Sequence, residues 1–261
     1  SLFFFLKNSL GVEMGWWWRK RNKKRTLERG AMVLEDLIEL GHGISNPIKF
    51  FSADEIRKAT DNFSDSNRVV SIGDFFHYYK WYSGKNENHP MILIKKCDGL
   101  KVFGLSSLFR VDLVCRDIAV SSMVSGHKNF LKLVGCCLEL EYPVMVYNGV
   151  KKHYRLKISE QPWKRRMKIA EDIATALAYL HTAFPRPFVY RNMYPENILL
   201  DEDGVAKLID FTYCVSIPEG ETFVNVVDKA KVFYSYLNDY DNSSGVVSEK
   251  TDVFAFGLLW V

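Results

Sequence analysis

The chain changes its hydrophobic period once, and that change limits the folds open to it. Beyond Arg68, apolar residues fall in short runs of strand type: Val69 to Ile72, Phe75 to Tyr82, Met91 to Lys95, Phe130 to Leu138 and Val144 to Tyr147. One helical stretch, Val111 to Val124, interrupts them. After Lys164 the spacing turns helical, and Arg165 to His181 sets Met167, Ile169, Ile173, Ala174, Leu177 and Leu180 on one apolar face. A β-rich front followed by a helical back predicts an α+β protein with two lobes.

Apolar residues make up 48% and charged residues 25%, enough for a substantial core. The net charge of +4 does not argue for a nucleic-acid partner. Five cysteines (Cys97, Cys115, Cys136, Cys137, Cys214) without a C-x-x-C pair exclude zinc spacing and predict a reducing, cytoplasmic setting. The basic excess gathers near the front, at Trp16-Trp17-Trp18-Arg19-Lys20-Arg21-Asn22-Lys23-Lys24-Arg25. Tryptophan favours the membrane interface, and each basic residue is drawn to anionic lipid by roughly 1 kcal/mol. Two readings stand: peripheral attachment to the plasma membrane, or a solvated tail. The apolar run Leu2 to Leu6 is far short of the ~20 residues of a membrane span.

From Glu28 to Leu40, Val33, Leu34, Leu37 and Ile38 recur at helical spacing until Gly41 and Gly43. Ser52 and Glu55 then form a capping box ahead of a short helix. The expected organisation is a basic, aromatic tail with a short helix over 1–49, a lead-in helix over 50–68, a β-rich lobe over 69–149 and a helical lobe over 150–261. The apolar run Val253 to Val261 has nothing after it to pack against, so the helical lobe is expected to be truncated.

Four motifs in order give the resemblance. Tyr190-Arg191-Asn192-Met193-Tyr194-Pro195-Glu196-Asn197 resembles the H-R-D-x-K-P-x-N catalytic loop of protein kinases, and Asp210-Phe211-Thr212 stands where D-F-G belongs. Ile92-Leu93-Ile94-Lys95 resembles the V-A-I-K strand, and Asp252 to Gly257 the start of the large helix of the C-lobe. Phe51 to Ser64 is similar to the lead-in of plant receptor-like kinases, and Leu133 to Glu139 to their wall-associated branch. The chain most resembles the plant immune-adaptor pseudokinases of that group.

The resemblance implies a damaged enzyme. Asn192 stands where the family carries the aspartate that accepts the substrate's proton. An amide has no useful basicity near neutral pH, and losing a general base typically costs about 10²–10⁴-fold in rate. Tyr194 replaces a lysine; a phenol with a pKa near ~10 is neutral, so a cation facing the γ-phosphate is gone. Aligning Tyr79-Lys80 with the usual Y-K puts Ser71, Gly73 and Phe76 at the three glycine positions of the phosphate-covering loop, where Phe76 crowds the backbone approach. Gly73 keeps its glycine.

Other parts survive. Lys95 matches the lysine on the α- and β-phosphates, with its acidic partner falling near Asp117 or Ile118. Asn197 and Asp210 match the two magnesium positions. The hinge is Val146 to Val150, with Tyr147 as gatekeeper and backbone at Asn148 and Val150 offered to adenine. Asp252 is expected to hold the catalytic-loop backbone, and Arg191 resembles the arginine that receives an activation-loop phosphate. Thr222, Ser235, Ser243 and Ser244 are candidate modification sites in the activation segment.

The family reading therefore implies a catalytically impaired adaptor or decoy in plant immune signalling. Its implied partners are a coiled-coil NLR receptor and other receptor-like cytoplasmic kinases, and ATP with magnesium is held weakly if at all. A low-activity serine/threonine kinase and an ATP-binding switch without turnover remain as alternatives.

Overall fold

The structure, a computed structural model, describes residues 2–41, 47–70, 72, 79–85, 90–97, 107–150, 154–226 and 245–260. Helix α1 spans Leu2–Gly41, strand β1 Lys49–Phe50 and helix α2 Ala53–Ala59. The Ser52 hydroxyl accepts the Glu55 N–H while the Glu55 carboxylate accepts the Ser52 N–H, so α2 opens on the expected capping box.

Strands β2 (Tyr79–Gly84), β3 (Ile92–Cys97), β4 (Leu133–Cys137) and β5 (Val144–Asn148) join β1 in a five-stranded sheet of order β1-β4-β5-β3-β2. All neighbours are antiparallel except β1 with β4. A glycine is needed where β1 meets β4, since a Cβ on Gly135 would stand 1.9 Å from the Lys49 carbonyl oxygen. The strand expected over Val69 to Ile72 is reduced to one bridge, Arg68 to Tyr82, and a hydrogen bond from Val69 N–H to the Trp81 carbonyl. Most of the run before Tyr79 lies outside the described residues.

Helix α3 (Ser107–Val124) packs behind this sheet and reaches both lobes. Val114 and Ile118 belong to the sheet's core, whereas Val120, Met123 and Val124 belong to the core of the helical lobe. That second lobe comprises β6 (Tyr154–Arg155), α4 (Trp163–Thr182), β7 (Phe188–Val189), β8 (Ile198–Leu200) and β9 (Ala206–Leu208). Beyond these come β10 (Val215–Ser216), β11 (Val224–Asn225), β12 (Val246–Val247) and α5 (Glu249–Leu258). Ile169, Ile173, Leu177 and Leu180 of α4 face inward with Phe130, Phe188, Tyr190 and Phe211. Met167 and Ala174, expected on that face, are exposed. Asp172 points inward instead, because its Oδ2 accepts the Ala206 N–H at 3.1 Å and satisfies the edge of β9.

The front of the chain departs most from expectation. In place of a tail carrying a short helix from Glu28, α1 is one helix of 40 residues. Its second half lies against α3: Val33 is buried in the sheet's core, Leu40 in that of the helical lobe, and Leu37 packs on both. Arg186 Nη1 also donates to the Glu39 carbonyl at 3.2 Å, so α1 straddles the two lobes. Among the described residues no helix is long and apolar enough to cross a membrane.

The α1–α3 contact is sensitive to pH. Burial pushes the Asp36 carboxyl up to about 6; Arg116, 3.7 Å away, opposes this, while Glu39, Asp112 and Glu35 add to it. A raised carboxyl favours the folded state when protonated, so its contribution is full below about pH 4 and lost as pH rises through about 6. Asp36→Asn is therefore expected to raise the melting point at pH 7.5 and to match the natural protein near pH 4. After discounting for partial solvent screening the gain is about 1 kcal/mol. Equal melting points at pH 7.5 would refute it.

Candidate functional site

The site forms where β3, α3 and the Asp210-Phe211-Thr212 turn converge. Strand alternation puts Tyr79 and Trp81 of β2 on the face that carries Lys95, since Tyr79 pairs with Cys97 and Trp81 with Lys95. The Lys95 ammonium contacts Asp117 Oδ2 at 2.6 Å and Asp210 Oδ1 at 3.1 Å, and lies 3.7 Å from the centroid of the Tyr79 ring. Asp117, one of the two positions considered from sequence, is thus the helix partner of Lys95; Ile118 turns into the apolar core. The shorter Asp reaches the ammonium directly. Its other oxygen, Oδ1, accepts the Phe211 N–H at 3.0 Å and the Ser121 hydroxyl at 3.1 Å.

These charges are dry. The Lys95 side chain is 1% exposed and that of Asp117 0%. Burial alone would push the Lys95 ammonium down, but Asp117 and then Asp210 outweigh it and hold it above its ordinary value. Burial also pushes the Asp117 carboxyl up, against the pull of Lys95.

Asp210 sits at φ 67°, in the left-handed region, and three donors converge on its Oδ1. They are Lys95 at 3.1 Å, the Thr212 N–H at 3.2 Å and the Thr212 hydroxyl at 2.5 Å. The Tyr79 hydroxyl lies 3.0 Å from Thr212 Oγ1. Because that Thr212 hydroxyl donates its proton to Asp210, Tyr79 is the donor of this second bond. The polar chain Tyr79–Thr212–Asp210–Lys95–Asp117 crosses from the sheet to the helical lobe.

The catalytic loop is ordered by Asp252 at the head of α5. Its Oδ2 accepts the Tyr190 N–H at 2.7 Å and meets His181 Nε2 at 2.9 Å, and its Oδ1 accepts the Arg191 N–H at 2.8 Å. This is the architectural role expected for it. Arg191 takes φ 59°, and its Nη1 donates to the Tyr213 carbonyl at 3.4 Å. Tyr190 and Phe211 pack edge to face at 5.6 Å, and Phe211 packs on Phe130 at 5.7 Å.

Asn192 is buried, and its amide donates to the Asp210 carbonyl at 3.0 Å. Its own carbonyl accepts the Asn197 amide at 3.0 Å. The amide is used as a donor, which an ionised aspartate cannot be. Tyr194 is half-buried; burial, with Glu196 nearby, pushes its hydroxyl up to about 12, so it stays neutral. No cation stands at that position.

The magnesium candidates, Asp210 and Asn197, do come together across the Asn192 backbone. One of their oxygens is already engaged by side chains of the chain itself. Asp210 Oδ1 holds three donors and the Asn197 amide N–H donates to the Asn192 backbone carbonyl, which leaves Asp210 Oδ2 and Asn197 Oδ1 as the oxygens a metal could take. Magnesium takes hard oxygen ligands and keeps several waters, so the pair offers it one oxygen from each residue.

At the hinge, Tyr147 is buried with its ring 5.5 Å from Trp81 and its hydroxyl 3.4 Å from Ser121 Oγ. The Asn148 N–H donates to the Lys132 carbonyl and the Gly149 N–H to that of Met91, while Val150 is half-buried. Ser71, Gly73 and Phe76 lie outside the described residues, as do Ser235, Ser243 and Ser244; Thr222 is exposed. Sequence reasoning missed the parts played by Tyr79 and Thr212. The signal was a hydroxyl where the D-F-G glycine belongs.

Residues 79–261 match the model of the protein tyrosine and serine/threonine kinase family. A probable inactive receptor-like protein kinase of Arabidopsis thaliana is 70% identical over 247 residues, which cover 94% of this chain and 64% of that protein. The inactive serine/threonine-protein kinase ZRK12 of the same plant is 66% identical over 246 residues, covering 94% of this chain and 61% of its own. The non-functional pseudokinase ZRK15, also from Arabidopsis thaliana, is 52% identical over 254 residues, covering 93% and 71%. The chain spans a little under two thirds of the length of the first two. With the sheet, the Lys95–Asp117 pair and the Asp252-held loop arranged as they are, the chain belongs to the protein tyrosine and serine/threonine kinase family, on the branch that carries ZRK12 and ZRK15.

Proposed function

We propose that the chain is a catalytically impaired kinase fold that works by binding other proteins, as an adaptor or decoy in plant immune signalling. The observation that carries the impairment is Asn192. Its side chain donates to the Asp210 carbonyl where a kinase needs a carboxylate that accepts a proton. The neutral Tyr194 supports the same reading, as do the names of the relatives. Partnership with a coiled-coil NLR receptor and with receptor-like cytoplasmic kinases, and kinship with the wall-associated branch, rest on the family resemblance. Attachment to an anionic plasma-membrane surface rests on the cationic and tryptophan-rich stretch from Trp16 to Arg25.

One preparation tests this. Full-length tagged protein recovered from plant tissue is assayed for phosphoryl transfer from radiolabelled ATP with magnesium, and its co-purifying proteins are identified. Transfer at the level of the blank, with an NLR receptor or receptor-like cytoplasmic kinase bound, is expected. Magnesium-dependent transfer would instead establish the low-activity kinase, and a preparation with neither class of partner would sink the adaptor reading.

A further inference from the structure

One oxygen of the magnesium pair, Asp210 Oδ1, is taken by Thr212 and Lys95, and Thr212 and Tyr79 lie outside the catalytic loop. We propose that Tyr79 and Thr212 form an internal latch that covers the phosphate-seeking Lys95 ammonium and takes one metal-facing oxygen of Asp210, so that the chain's own side chains exclude nucleotide. This deepens the reading of an impaired kinase and rests on it.

Three observations converge. First, the Tyr79 ring covers the Lys95 ammonium at 3.7 Å, on the side of β3 that faces the second lobe. A phosphate oxygen seeking that ammonium would have to displace an aromatic face that already stabilises the cation. Second, the Thr212 hydroxyl binds the Asp210 oxygen at 2.5 Å, where a glycine would leave it open to a metal. Third, the Tyr79 hydroxyl donates to Thr212, so ring and hydroxyl act as one bridge between β2 and the turn after Asp210. In a kinase that binds nucleotide, Mg–nucleotide itself joins these parts. Here the join is intramolecular, and its effective concentration is that of a tethered group.

The latch also accounts for Lys95, Asp117 and Asp210 staying paired in a chain without a general base. The ammonium offsets one of the two carboxylate charges in a dry site: the Lys95 side chain is 1% exposed and that of Asp210 9%. A nucleotide can enter only from the fraction of molecules in which Tyr79 has swung away, so its apparent affinity falls by that fraction.

The test uses full-length protein and Mg–ADP, followed by titration calorimetry and by thermal shift. The natural protein is expected to show neither heat nor shift at about millimolar Mg–ADP. The Tyr79→Val, Thr212→Gly double variant is expected to gain about tenfold or more in affinity while keeping a cooperative melt. Binding by the natural protein in the micromolar range overturns the latch, as does a folded double variant that binds no better. Should the double variant lose its cooperative melt, Tyr79→Phe takes its place, since it deletes only the hydroxyl. A gain of about threefold then supports the latch, and no change overturns it. Radiolabelled transfer run alongside separates the two ideas: nucleotide bound without product sinks the latch alone, whereas product sinks the impaired-kinase reading.

Discussion

Lys95→Met should lower the stability of this protein by about 3–5 kcal/mol, a structural effect separate from any catalysis. The ammonium stands between two carboxylates, 2.6 Å from Asp117 and 3.1 Å from Asp210, in a site closed to water. Methionine fills much the same volume, so the change is electrostatic rather than a cavity. Without the cation, two carboxylates face one another in low dielectric, and at least one must take up a proton to stay buried. For a chain of this size the loss corresponds to a fall in melting temperature of roughly 10 °C at pH 7.5.

The pH dependence separates this account from a general packing defect. In the variant the folded-state carboxyls are raised further, so stability returns as pH falls toward the range where they are protonated in both states. The melting-point gap between Lys95→Met and the natural protein should therefore narrow between pH 7.5 and pH 5. A constant gap, or a loss under about 0.5 kcal/mol at pH 7.5, would show that the triad does not hold the cleft together.

Residues whose spacing is set by shared chemistry were legible in the sequence. Asn192, Asn197, Asp210 and Asp252 fall on motif positions, and the structure brings them to one loop cluster as those motifs require. Positions fixed by distant partners were not. Asp117 and Ile118 stand side by side on α3 and were separated only once the angular setting of α3 against β3 was known. On α4, Asp172 faces inward for an N–H on β9, a partner 34 residues along the chain. The length of α1 was hidden for a related reason. Its basic stretch has no apolar stripe, and a helix of that composition draws its stability from tertiary packing rather than from its own residues.

That packing centres on Arg29, and Arg29→Ala is expected to cost about 3–4 kcal/mol and to release α1 from the sheet. The side chain is buried, and its Nη1 donates to the Leu138 carbonyl at 2.8 Å and also to that of Leu140; Nη2 donates to the Glu141 carbonyl. Arg25 adds a bond to the Glu139 carbonyl at 2.9 Å. The turn between β4 and β5 thus presents four consecutive carbonyls to α1, and a planar fork answers three of them. Burial, with Arg25 next in size, lowers the Arg29 guanidinium from its ordinary value, but a guanidinium stays charged at neutral pH. Alanine would leave those carbonyls without these donors beneath the helix. Lysine keeps the charge but not the fork, so Arg29→Lys should recover only part of the loss. Because α1 also supports α3, which carries Asp117, its release should loosen the Lys95 site as well. Limited trypsin digestion reads the release at the Arg21 to Arg25 stretch: cleavage there should quicken in Arg29→Ala and be intermediate in Arg29→Lys. If Arg29→Lys proves as stable as the natural protein, charge alone holds α1 down and the carbonyl fork is incidental.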